Sequence, residues 1–152
     1  MHSSGNMRSR QISGMAGVYY VAAELSRLGY IASVTTRNAK AADIVAMNDK
    51  TSMTVAIQVK TCDVSTSDSY WLLSKGDRQK KPINFVYVFV KLHKDKAHDF
   101  YVAPAQFVMN NLQKDKAKTG SEWYYITKDR IIPFKQKWDE IKRVTTRALR
   151  SP

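Results

Sequence analysis

The chain has 152 residues, enough for one hydrophobic core and too few for two, with 43% hydrophobic and 25% charged residues. Its 25 Lys and Arg against 13 Asp and Glu leave a formal charge of +12, a surplus that favours a polyanionic partner, with nucleic acid the first candidate. The single cysteine, Cys62, excludes an internal disulfide and fits a reducing cytoplasm, no apolar run approaches the ~20 residues of a membrane span, and the N-terminus lacks the apolar core of a signal peptide.

Residues 1–12 are polar and read as a flexible lead-in to a single domain over 13–152. From Ser13 the pattern turns helical: Met15, Val18, Ala22 and Leu25 form one apolar stripe, with Ser13 as N-cap and Gly29 as stop. Glu24 lies off that stripe, beside Gly17, Val21 and Leu28, and is the first acidic residue of the chain. The plain reading is a helix-surface carboxylate paired to Arg27 or Arg37. Ile31 to Thr36 reads as a strand, and 37–42 as a basic loop whose Arg37 and Lys40 either meet a phosphate or stay solvated.

Two runs rich in Val, Ile, Thr and Ala follow, 43–47 and 54–60, separated by the polar cluster 48–53, and a pair of strands is the economical reading. Alternation puts Thr54, Ala56, Gln58 and Lys60 on one face and Val55, Ile57 and Val59 on the other. Pairing with Met47 opposite Thr54 sets Asp43 opposite Gln58, gathering a carboxylate, an amide and an ammonium.

Beyond Lys60 a polar loop leads to a short strand at Tyr70 to Leu73, then to 75–81, where Lys75, Arg78, Lys80 and Lys81 surround one acid between Gly76 and Pro82. This segment is the best candidate for contacts to a DNA backbone, since phosphate neutralisation needs cations near the site rather than fixed spacing, and a solvated loop is the alternative reading. The near-continuous apolar run from Ile83 to Leu92 predicts a strand buried on both faces, and so a sheet covered on each side. His93 and His98 are a weak metal signal without a nearby cysteine. A strand at 100–103, a helix opened by Pro104 and running to about Leu112, a polar linker over 110–120, an edge strand or aromatic lid at 122–127 and a basic amphipathic helix over 134–149 complete the chain.

No Gly-rich phosphate loop, G-x-S-x-G elbow, H-E-x-x-H or paired CxxC is present. The order Asp43, then Gln58-Val59-Lys60 on a strand, preceded by a helix bearing Glu24 and by a strand, resembles the PD-(D/E)XK nuclease superfamily over roughly residues 13 to 60. Ala42 stands where the nominal pattern has Pro, and Gln58 occupies the D/E position.

The resemblance implies an α/β (α+β) fold with a restriction-endonuclease-like αβββαβ core, a mixed central sheet flanked by helices. It also implies Mg²⁺-dependent, or Mn²⁺-dependent, hydrolysis of DNA phosphodiesters. Asp43, Gln58, Glu24 and the Val59 carbonyl would hold the metal, and Lys60 would orient the attacking water and stabilise the phosphorane. An amide in place of a carboxylate lowers the expected metal affinity, so the alternative is an inactive nucleic-acid-binding protein of the same fold. Cutting both strands of a duplex calls for two sites, which makes a homodimer the expectation.

Overall fold

The computed structural model describes residues 3–36, 42–64 and 70–151, with side chains from residue 9 onward. Helix α1 (Ser3–Arg27) opens the chain and ends before Gly29, whose φ of 86° is the left-handed conformation that glycine adopts freely. It begins at Ser3 rather than at Ser13, and so runs through the segment expected to be flexible. The Ser13 hydroxyl is not a cap; it donates to Asp63 at 2.7 Å.

Three antiparallel strands follow: β1 (Tyr30–Val34), β2 (Ile44–Asn48) and β3 (Thr54–Cys62). The β2–β3 turn is held by the Asn48 carboxamide, whose Oδ1 accepts the N–H groups of Lys50 and Thr51 at 3.0 Å each. That turn fixes the register with Met47 opposite Thr54 and Ile44 opposite Ile57, as the sequence predicts.

A parallel neighbour needs a crossover, and β3 reaches one through β4 (Tyr70–Leu73) and a 3-10 turn (Lys75–Arg78) before β5 (Phe85–Lys91). Among the described residues no α-helix makes this connection, unlike the αβββαβ scheme. After β6 (Asp99–Pro104) come α2 (Ala105–Asn111), β7 (Gln113–Lys116), β8 (Glu122–Thr127) and α3 (Lys128–Ile131). A second 3-10 turn (Ile132–Phe134) leads to α4 (Asp139–Arg150).

The main sheet has the order β1-β2-β3-β5-β6, and a smaller one has β4-β8-β7. Strand β8 is therefore central in its sheet, not an edge. The linker expected over 110–120 contains its partner β7, and the last helix starts at Asp139 rather than Phe134.

Every residue of β5 from Phe85 to Val90 is buried, because both faces of the main sheet are covered. On one face, Val18, Val21 and Leu25 of α1 and Ile141 and Val144 of α4 pack on Val55, Ile57, Val59, Val86 and Val88. On the other, Trp71, Leu73, Tyr124 and Ile126 of the small sheet pack on Phe85, Tyr87, Phe89 and Tyr101. No helix among the described residues is long and apolar enough to cross a membrane. Together these features make a mixed α+β architecture, a five-stranded mixed sheet flanked by helices.

Helix α1 crosses β3 closely at Gly17. A Cβ there would collide with the Thr61 side chain, whose buried Oγ1 has no hydrogen-bond partner among the described residues. Gly17→Ala is expected to destabilise the protein by roughly 1–3 kcal/mol, the usual cost of overpacking. Thr61→Ala removes Oγ1, the atom that would collide and an unsatisfied hydroxyl, so the double variant should recover much of that loss. A double-mutant cycle in urea measures the coupling.

Candidate active site

Strand β2 begins at Ile44, so Asp43 sits at its threshold, with its backbone pinned on both sides. Its N–H donates to the Ile57 carbonyl at 2.9 Å, and its carbonyl accepts the Thr35 N–H at 2.9 Å. The Thr35 hydroxyl braces the preceding peptide by donating to the Ala42 carbonyl at 2.6 Å. So held, the Asp43 carboxylate reaches β3, where Oδ2 accepts the Val59 N–H at 2.8 Å and the Gln58 Nε2 at 2.6 Å. Both donors go to Oδ2, which leaves Oδ1 for another partner. With Nε2 engaged, the Gln58 side chain has its carbonyl oxygen to offer.

Lys60 lies on the same face of β3 as Gln58, and its Nζ donates to Asp77 Oδ2 at 3.0 Å. Asp77 comes from the 3-10 turn of the crossover and is buried, at 6% exposure. Its carboxylate is fully hydrogen-bonded: Oδ2 also accepts the Ser74 N–H at 2.6 Å and the Ser74 hydroxyl at 2.8 Å, and Oδ1 accepts the Tyr87 hydroxyl at 2.8 Å. Such saturation is what a buried charge requires. Sequence reading took Asp77 for the one acid of a basic loop and missed both it and Tyr87. The signal was Ser74-x-x-Asp77, the spacing of a capping box.

The two carboxylates are tuned in opposite directions. Burial raises Asp43 above its ordinary 3.8 and the charge of Asp77 adds to the rise, while the Val59 N–H, Lys60 and the Gln58 amide oppose it. Burial also pushes Asp77 up, but Lys60, the Ser74 N–H and the Tyr87 hydroxyl outweigh it and hold Asp77 below 3.8. Burial, with the Asp77 charge beside it, pushes the Tyr87 phenol far above its ordinary 10.0, so it remains a donor.

The remaining expected residues divide into several groups. Glu24 is not drawn to Asp43; it pairs with Arg27 at 2.9 Å, one of the two partners expected for a surface carboxylate. The reason is that α1 packs on the face carrying Val55, Ile57 and Val59, away from Gln58 and Lys60. Among the described residues no group of three or more His, Cys, Asp and Glu could hold a metal ion. What the structure shows of the Val59 peptide is its N–H on Asp43 rather than a role for its carbonyl.

Lys75, Arg78 and Lys80 are exposed on or just after the turn that delivers Asp77, at the rim of the site. Arg78 is also tied to the fold, donating to the Tyr124 hydroxyl at 3.2 Å and lying over that ring, and Lys81 lies over the Phe85 ring at 5.4 Å. Arg37 and Lys40 lie outside the described residues. Lys60 also lines a cleft of about 370 Å³ with Arg10, Ser13, Asp63 and Tyr70, between α1 and β4.

Stability should depend on pH with opposite signs at the two carboxylates. Asp77, with a lowered native value, stabilises the fold above pH 3.8, and that contribution is lost as pH falls through the native value. Asp77→Ala is expected to cost about 3–5 kcal/mol near neutrality, as when one partner of a buried pair is removed, with the penalty shrinking in acid. Asp43, with a raised value, favours the fold when protonated and loses that contribution as pH rises through the native value. Metal-free Asp43→Asn should therefore match or exceed wild-type stability at pH 7 and lose its advantage in acid. Urea unfolding between pH 3 and 7 checks both.

Neither a protein-family model nor a curated protein matches the sequence. Two of the solved structures that align with the chain are the following. Hjc, a Holliday junction resolvase from Archaeoglobus fulgidus, aligns over 76% of this chain and 91% of its own, with 16% identity and a TM-score of 0.46. The bacterial homing endonuclease I-Ssp6803I aligns over 93% of this chain and 97% of its own, with 16% identity and a TM-score of 0.58. At that identity the second likeness establishes the fold, which is restriction-endonuclease-like.

Proposed function

We propose that the protein is a divalent-metal-dependent DNA endonuclease whose active site is the Asp43, Gln58 and Lys60 face. The observation that carries this reading is the convergence on Asp43. Its backbone is locked between Thr35 and Ile57, Oδ2 is held by the Val59 N–H and Gln58, and Lys60 is fixed two residues along the same strand face. The solved protein of similar fold that aligns over 93% of this chain is named as a homing endonuclease, which supports the same class.

The donors on offer are oxygens: Asp43 Oδ1, the Gln58 amide oxygen and the Val59 carbonyl. Oxygen ligands suit Mg²⁺, which keeps several waters and needs few protein ligands, and Mn²⁺ takes a similar set. A cation would also relieve the raised Asp43 carboxyl, which burial and Asp77 disfavour as an anion. When bound, the ion lowers the pKa of a water and offsets charge on the phosphate. The chain's own part is positioning. Asp77 holds the Lys60 ammonium at a fixed place, where it stabilises the negative charge that develops on the phosphoryl oxygens. Lys75 and Lys80 on the rim add attraction for the DNA backbone. Cleavage of both strands of a duplex requires two such sites, and a homodimer supplies them.

One observation favours a second reading, a DNA-binding protein of this fold without catalysis. Gln58 supplies no charge and spends its amide group on Asp43, and Asp77 is saturated by its own donors, which leaves Asp43 the one carboxylate of the site with an oxygen to offer a metal.

A cleavage assay on supercoiled, branched and single-stranded DNA with Mg²⁺ or Mn²⁺ separates the two. Wild type should cut, Asp43→Ala should not, and Lys60→Ala should lose roughly 10²–10³-fold, the usual cost of one preorganised electrostatic stabiliser. Gln58→Glu should tighten divalent binding as read by calorimetry. Binding without cutting by every form, with salt dependence intact, would establish the second reading.

A further inference from the structure

Helix α4 turns Ile141, Val144 and Thr145 into the core and leaves a ridge of cations outside. Lys142, Arg143, Arg147 and Arg150 recur at helical spacing along a shallow groove that they line with Thr146 and Asp139. Asp139 is the one acid there, at the helix start, and Arg143 is partly offset by Glu140 at 3.2 Å. Lys142 to Arg150 spans about 12 Å of helix rise, or some three to four base-pair steps of DNA at ~3.4 Å each.

This ridge lies across the main sheet from the proposed active site. Helix α4 packs with α1 on the Val55, Ile57 and Val59 face, whereas Gln58 and Lys60 belong to the other. A DNA segment lying in the site cannot also lie on α4 without turning back around the domain. With a persistence length of about 150 bp, bending even 20–30 bp by 40–90° costs roughly 1–6 kcal/mol, and a reversal within so short a length costs more.

We infer that the α4 ridge binds the phosphate backbone of a second DNA segment, distinct from the one presented to Asp43 and Lys60. The segment is either another arm of the same branched molecule or a separate duplex. The inference rests on the nuclease reading only for the first segment, since the ridge requires nothing but polyanion chemistry.

The test is a bridging assay without divalent metal, in which an immobilised short duplex captures a fluorescent one through the protein. It runs beside binding to a four-way branched DNA as a function of salt. Wild type should bridge, and Lys142→Ala/Arg147→Ala/Arg150→Ala should not. The log–log salt slope on branched DNA should fall by about 2 to 3 at ~0.9 per phosphate contact. Cutting of a short linear duplex should stay unchanged.

Loss on branched DNA alone assigns the ridge to an arm of one molecule, and loss of bridging as well assigns it to separate duplexes. Bridging and slope that survive the triple variant overturn the inference, because two sites of a dimer would then account for the capture. Ridge-dependent binding to phosphatidylserine vesicles, with no effect on DNA, overturns it in favour of a membrane surface. A wild type that never cuts but bridges through the ridge leaves this inference standing and removes the nuclease reading.

Discussion

The buried carboxylate of Asp77 is the constraint on which the arrangement of the site depends. A charge at 6% exposure is tolerable only when hydrogen bonds replace water, and its four donors come from three parts of the chain. Lys60 belongs to β3, Tyr87 to β5, and Ser74 supplies both its N–H and hydroxyl from the mouth of the crossover turn. One side chain thereby ties two parallel neighbours to the segment that joins them. Lys60 is a long and flexible residue, and this anchor gives it a defined position.

Asp43 is held by geometry more than by charge. Because β2 starts one residue later, the Val59 N–H next to the strand end takes its acceptor from a side chain. The structural need to satisfy that N–H and the chemical need for an oriented carboxylate are met by the same atom. Its partner Gln58 is neutral, which lets the amide donate to Asp43 where a second carboxylate would repel it.

The hairpin was legible in the sequence because each of its determinants is local. Alternating β-branched residues, a polar turn and the register from Met47 to Thr54 suffice to set Asp43 opposite Gln58, and the structure pairs them so. The both-faces burial of β5 was equally plain from its unbroken apolar run. The start of α1 was not, because residues 3–12 carry no apolar stripe. Asp77 escaped notice for a different reason: its partners Lys60 and Tyr87 are distant in sequence, and among Lys75, Arg78, Lys80 and Lys81 an acid looks like a solvated counterion. Strand β7 was hidden by its polarity, since Gln113-Lys114-Asp115-Lys116 has no apolar alternation and lies at a sheet edge, where charge is the norm. Glu24 was open to two readings, and the structure shows it paired with Arg27, a neighbour three residues away.

The parallel pairing of β3 with β5 also bears on how the protein comes to be folded. The β1–β2–β3 meander pairs strands that are neighbours in sequence, whereas β5 must return across the crossover to find β3, and such non-local pairing is entropically slow. Lys60 has Asp77, and Asp77 the Tyr87 hydroxyl, only where that pairing is made, whereas Asp43 and Gln58 belong to the local hairpin. The fixed cation therefore depends on the non-local pairing, and the complete constellation exists only in the finished domain.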